Sequence, residues 1–309
     1  MTHKKLLSII LSSLLILSLT ACGETQPVSV SEPAPSVETS VEVSVEPSVE
    51  PSVEASVEEP VEDPMMYVND EGFLIFGNYE QDGDDSNGPE PIEWEVLETN
   101  ETGVLLVSRY ILDSRQYDPS MSAVSWGSSD LRYWLNTDFL NTAFTLKEQQ
   151  SILEITSPAD TNEYYSTDAG NDTNEKVTIL SVKDVINNYE FGIWEEERIF
   201  GICDKLIVPA TAYAVSQGVL TETITEDYAS GDEMHRFLND NLFKSSQIEA
   251  FLKENVNKTA AQWWLRTPGN KQMVACTVSI YGRAGYFYGQ YVNKEGIGVR
   301  PAIYIENLP

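Results

Sequence analysis

Histidine is nearly missing from this chain of 309 residues: there are two, His3 and His235. A Ser-His-Asp or Cys-His mechanism would have to run through one of them. His3 stands in the basic start of an apolar leader, and His235 lies in "GDEMHRFLNDNLF", a helical pattern with a polar face, which reads as a surface position. No Gly-x-Ser-x-Gly nucleophile turn occurs. Histidine-rich zinc sites are excluded, and the three cysteines, Cys22, Cys203 and Cys276, contain no Cys-x-x-Cys pair. Positive charge is scarce as well, with 19 Lys and Arg against 49 Asp and Glu and a formal net charge of -30. Such a chain will not seek nucleic acid or an anionic membrane surface. It can attract cations or cationic partners, although solubility alone accounts for the charge.

Long apolar runs are absent except at the start. "MTHKK" is a basic segment, "LLSIILSSLLILSL" an apolar one too short to span a bilayer comfortably, and "LTAC" follows at Leu19 to Cys22. This order resembles the lipobox of bacterial lipoproteins. The resemblance implies a signal peptide over 1–21, with Cys22 diacylated and anchoring the protein outside the cytoplasmic membrane. Residues 22–64 lack aromatics and repeat Ser-Val-Glu-Pro, and their apolar members are Val, Ala and Pro. Nothing there can build a core, so a disordered acidic stalk is expected, reaching on the order of 130 Å if fully extended. From 23 to 64 the stalk holds 11 acidic residues and no basic ones, and the leader holds Lys4 and Lys5. Residues 65–309 therefore keep 38 acidic against 17 basic side chains, a net of -21.

Residues 65–309 read as one globular α+β domain: antiparallel strands with short helices and long loops. "GFLIFGNY", "PIEWEVLET", "GVLLVSRY" and "KVTILS" read as strands. "SSDLRYWLNTDFLNTAF" reads as helix, capped by Ser128 or Ser129. Thr145 with Glu148, and Ser181 with Asp184, have capping spacing. "VPATAYAVSQG" suggests a helix with Pro209 near its first turn and Gly218 past its end. Residues 219–258 read as acidic and helical, and four strands close the chain: "AQWWLRT", "MVACTVSI", "YFYGQYV" and "GVRPAIYI". Alternation puts Val274, Cys276, Val278 and Ile280 on one face. A Cys203–Cys276 disulfide, worth roughly 4 kcal/mol by loop entropy, stands open beside two buried thiols.

"IFGNY", "PIEWEVL", "LLVSRYILD", "SSDLRYWLN", "WWLRTPG" and "GIGVRPAIYI" occur in that order over residues 72–305. Together they resemble the bacterial domain of unknown function 6273, a family frequent in secreted and lipid-anchored Firmicute proteins. The closing Trp-Leu-Arg and Gly-Val-Arg-Pro are also similar to the end of formylglycine-generating enzymes, which implies a C-type-lectin-like arrangement. The copper-binding cysteine pair of those enzymes has no counterpart here, so their oxidase chemistry is not carried over.

The loop with Asp82, Asp84, Ser86 and Glu93 mimics the ligand spacing of a calcium-binding EF-hand. Its glycine, Gly88, stands one place late and strands flank it, which favours a solvated hairpin loop. "TDAGNDTNE" (167–175) is a second acidic turn. Neither a metal nor another cofactor is expected. In "WWLRTPG" the two indoles should point to opposite faces, one into the core and the other toward something else. Arg266 shares the face of Trp264, and Arg300 stands in an apolar strand; buried arginines need partners, and Glu93 or Asp130 can serve. Trp264, Arg266, Arg300, Tyr286 and Tyr288, extended by Tyr291, are thus either a structural framework or a ligand cradle. The expected function is a non-catalytic binding or adhesion module of the cell envelope, anchored by lipid and facing a glycan, wall or protein ligand. The alternatives are a glycan- or wall-active enzyme with a carboxylate pair, and a structural envelope protein without a small ligand.

Overall fold

A computed structural model describes residues 65–101, 103–191, 193–195, 200–225, 250–251, 253–287 and 289–306. The leader, Cys22, the stalk, His235, Tyr288 and most of 219–258 lie outside the described residues.

Two sheets carry the fold, and it is α+β. The larger runs, in spatial order, Tyr67–Val68, Leu74–Tyr79, Glu90–Thr99, Val104–Ser108, Ala302–Ile305 and Val177–Thr178. All its pairings are antiparallel. Sequence pattern sets each strand's place. Glu90–Thr99 alternates, burying Ile92 and Trp94 and turning Glu93 and Glu95 outward, so one of its faces is wetter. Val104–Ser108 is apolar almost throughout and buried at every position. Val104 and Leu106 enter one core with Phe139 and Phe144, and Leu105 and Val107 enter a second with Leu180 and Leu265.

The second sheet orders Gly289–Tyr291, Val274–Val278, Trp263–Pro268, Gly298–Val299 and Asp113–Ser114. Its pairings are antiparallel except between Trp263–Pro268 and Gly298–Val299. The chain passes between the two sheets twice, at 108–113 and at 299–302, and the two passages bond each other. Ser108 N donates to Pro301 O at 2.9 Å, and Leu112 N to Val299 O at 3.0 Å. "GVRPAIYI" is therefore not the single strand expected. Pro301, with no N–H to continue a ladder, stands where Gly298–Val299 ends and Ala302–Ile305 begins in the other sheet.

Local signals hold well. Ser129 caps Asp130–Trp134, and the Thr145/Glu148 and Ser181/Asp184 boxes both form. Two elements differ. Thr211 rather than Pro209 opens the helix Ala212–Ser216. "YFYGQYV" is not one strand: Arg283–Gly285 and Gly289–Tyr291 flank a turn. Within 219–258 the described Thr221–Thr223 is a strand paired with Thr259–Ala261. Cys203 and Cys276 are free and buried, so no disulfide joins them. Among the described residues no helix is long and apolar enough to cross a membrane.

Candidate functional site

Both indoles of the Trp-Trp pair are fully buried, which corrects the expectation that one would face outward. The strand that carries them is covered on both faces: Trp263 lies in the second core and Trp264 in the first. Trp264 donates its Nε1–H to Arg115 O at 2.8 Å and meets Tyr117 edge-on at 5.6 Å.

Arg300, 1% exposed, uses three of its nitrogens. Nε donates to Ser108 O at 2.7 Å, Nη1 to the Tyr189 hydroxyl at 3.2 Å and Nη2 to Glu95 at 3.0 Å. Its guanidinium also lies over Trp263, 5.2 Å from the ring centroid. The Tyr189 hydroxyl is pushed up to about 12, mainly by burial, so it keeps its proton at neutral pH. The carboxylate is Glu95 rather than Glu93 or Asp130, and register decides it. Pro301 bonds Ser108, and Glu95 pairs across the strands with Val107 beside it. Glu93 instead pairs with Arg109 at 2.8 Å.

Arg266, 7% exposed, is used unevenly. Both its side-chain hydrogen bonds leave from Nη1, to Asp184 at 2.5 Å and to Ile179 O at 2.9 Å, while Nε is buried without a partner. Asp184 thus has two jobs, closing the cap of Val182–Asn188 and pairing with Arg266. Its helix spacing announced only the first.

Arg266 and Asp184 both line a cleft of about 560 Å³, walled by Leu105, Leu153, Leu180 and Tyr304. That size is within the range of small-molecule sites. The Tyr304 hydroxyl is pushed up to about 12, chiefly by burial, and is a neutral donor there. Ser157 also lines the cleft, and its Oγ is buried without a partner.

A second feature is a surface knot of rings. Tyr164, Tyr165 and Phe287 are 47%, 37% and 38% exposed. Tyr164 lies 4.1 Å from Phe287 and 4.8 Å from Tyr165, centroid to centroid. Asn162, fully buried, holds them in place. Its Nδ2 donates to Pro268 O and Tyr286 O, each at 2.9 Å, and its Oδ1 accepts from Tyr164 N and Tyr165 N. One amide therefore ties the Tyr-Tyr loop to the turn that carries Phe287 and to the end of the Trp-Trp strand. Tyr286, expected on an exposed face, is 5% exposed and packs in the second core. Tyr291 is exposed, with Lys271 Nζ 4.9 Å above its ring. The pair in "NEYYS" follows no strand or helix period, and two adjacent rings in a polar loop were its one sequence signal.

The acidic turns are internally satisfied. Glu80, Asp82 and Glu90 bring ligand atoms within 4.8 Å of one another. Their oxygens accept backbone N–H groups of Gly83, Asp84, Gln81 and Asp82. In the second turn Glu175 is buried on the Trp126 Nε1–H and the Arg132 Nε–H.

The fold and these motifs define an α+β domain, and the comparison with known families makes the assignment specific. The family described as Domain of unknown function (DUF6273) matches residues 101–307, and the chain belongs to it. No curated protein and no solved structure matches the chain, so the C-type-lectin-like expectation gains no structural relative.

Proposed function

We propose that this protein is a non-catalytic binding module of the bacterial envelope, lipid-anchored at Cys22 and held away from the membrane by the 22–64 stalk. The observation that carries the binding reading is the exposed ring knot of Tyr164, Tyr165 and Phe287, fixed by the buried Asn162. Exposed rings meet the C–H faces of sugars and other apolar patches, and a contact surface fixed beforehand loses little entropy on binding. The net of -21 over residues 65–309 opposes anionic polymers, which favours a neutral envelope glycan as ligand. The lipobox pattern supports the anchor, and the aromatic-free, proline-punctuated repeat supports the stalk.

The test combines sedimentation with purified wall glycan and cell fractionation. The Tyr164→Ala/Phe287→Ala double variant of the full chain should lose most of its co-sedimentation while its unfolding midpoint stays put. Undiminished glycan binding, or binding to a protein ligand alone, would overturn the glycan reading. Cys22→Ser should move the chain from the membrane to the soluble fraction, and full membrane retention after a salt wash would overturn the anchor.

A further inference from the structure

We propose that the cleft lined by Arg266 and Asp184 binds a free aliphatic α-amino acid as its zwitterion. The pair is half used on both sides. Arg266 makes its two side-chain hydrogen bonds from Nη1 and leaves a buried Nε–H without an acceptor. Asp184 takes its two side-chain hydrogen bonds, from Arg266 Nη1 and Ser181 N, on Oδ2 alone. Its side chain is 27% exposed, against 8% for Arg266. The Nε side of a guanidinium is a two-pronged donor that fits a carboxylate, and the second oxygen of Asp184 is an acceptor that fits an ammonium. An α-amino acid carries both charged groups on one carbon and can offer its carboxylate to Arg266 and its ammonium to Asp184 together.

Charge and wall chemistry narrow the ligand. A bare anion would meet Asp184 and the neighbouring Glu154, and a bare cation would meet Arg266. A ligand with zero net charge and both poles avoids each repulsion. The apolar part of the lining is Leu105, Leu153, Ile155 and Leu180 with the Tyr304 ring, so the side chain that fits against it is aliphatic. The volume of about 560 Å³ holds one such molecule with water to spare. Ser157 supplies a further hydroxyl at the lining.

The site uses none of the rings on which the proposed glycan surface depends, so the two proposals fail separately. The experiment is calorimetric titration of the full chain with L-leucine, with leucinamide, which lacks the carboxylate, and with N-acetylleucine, which lacks the ammonium. Leucine should bind, and each analogue should bind at least about tenfold more weakly, the loss of one charge-assisted contact. Arg266→Lys and Asp184→Asn should weaken leucine by a similar factor. Because both residues also support the fold, Leu153→Trp is the companion variant: it fills the cleft from a half-buried wall position and should abolish the titration. Tyr164→Ala/Phe287→Ala should leave it unchanged. No heat with leucine, equal binding of the three ligands, or undiminished binding by Leu153→Trp would overturn the proposal, leaving a buried water as the partner of Arg266 Nε.

Discussion

Arg300 and Arg266 are both buried arginines facing one carboxylate, yet they do different work. Arg300 sits where the chain leaves one sheet for the other, and its three nitrogens bind three segments: Ser108 in one crossing, Glu95 in the large sheet and Tyr189 after a helix. Trp263 closes its face. Every nitrogen of that guanidinium has a protein partner, and at 1% exposure it borders no solvent. Arg266 stands near the end of its strand, binds through one nitrogen, and borders a cleft. A buried charge with every nitrogen matched is architecture. A buried charge with donors to spare beside a cavity is an unfinished site, because the missing hydrogen bonds carry a desolvation cost until something supplies them.

The strand that bears the indoles gives the largest expected effect. Trp263 and Trp264 fill separate cores, so Trp263→Ala and Trp264→Ala should each cost about 3–5 kcal/mol in chemical unfolding. A cost below about 1 kcal/mol at either position would return that indole to the surface. It would also reopen the choice between framework and cradle for the whole stretch.

The arginines come next. Arg300→Ala should cost about 3 kcal/mol, because Glu95 and Tyr189 lose their common partner and the Ser108 carbonyl its donor. Arg266→Ala should cost about half of that, since one carboxylate, partly open to water, and one carbonyl are released. Unfolding midpoints and slopes of the two variants, measured side by side, decide it. Equal losses would erase the distinction between a finished and an unfinished site.

Much of this was legible in the sequence, and what was not has a common cause. Caps are local: Thr145 finds Glu148, and Ser181 finds Asp184, three residues away. The apolar run of Val104–Ser108 read as a strand, and the structure covers it on both faces. The same reasoning, applied to Trp263–Pro268, buries both indoles, whereas strand alternation alone sent one of them outward. The partner of Arg300 stands 205 residues away and two places from the glutamate expected. No periodicity resolves such a choice, which depends on the register of one sheet against a crossing from the other. The family match begins at residue 101, yet Leu74–Tyr79 and Glu90–Thr99 complete the large sheet, and Glu95 on the latter holds Arg300. The matched region thus draws a pairing of its own framework from a strand outside it.

Asp160 offers the smallest effect and the finest test of the Arg266 side. It is 5% exposed, accepts from the Thr267 hydroxyl at Oδ2, and leaves Oδ1 buried without a hydrogen bond. Lys183 Nζ is 3.9 Å away. Burial raises its pKa above the ordinary 3.8, against the downward pull of Thr267, Arg266 and Lys183. A carboxyl whose folded value is raised binds more protons when folded than when unfolded in the interval between the two values. Its contribution therefore disfavours the fold at neutral pH, and the penalty lessens as pH falls through the raised value, fading out near 3.8. Asp160→Asn keeps an acceptor for Thr267 and removes the titration. The variant should gain up to about 1 kcal/mol at neutral pH, and the gain should shrink as pH falls from about 7 to about 4. Unfolding midpoints of both chains across that interval measure it. A variant weakened at neutral pH, with the deficit shrinking on acidification, would mean that the charge on Asp160 stabilises the arginine and lysine beside it, and the Arg266 side would then be as finished as the Arg300 side.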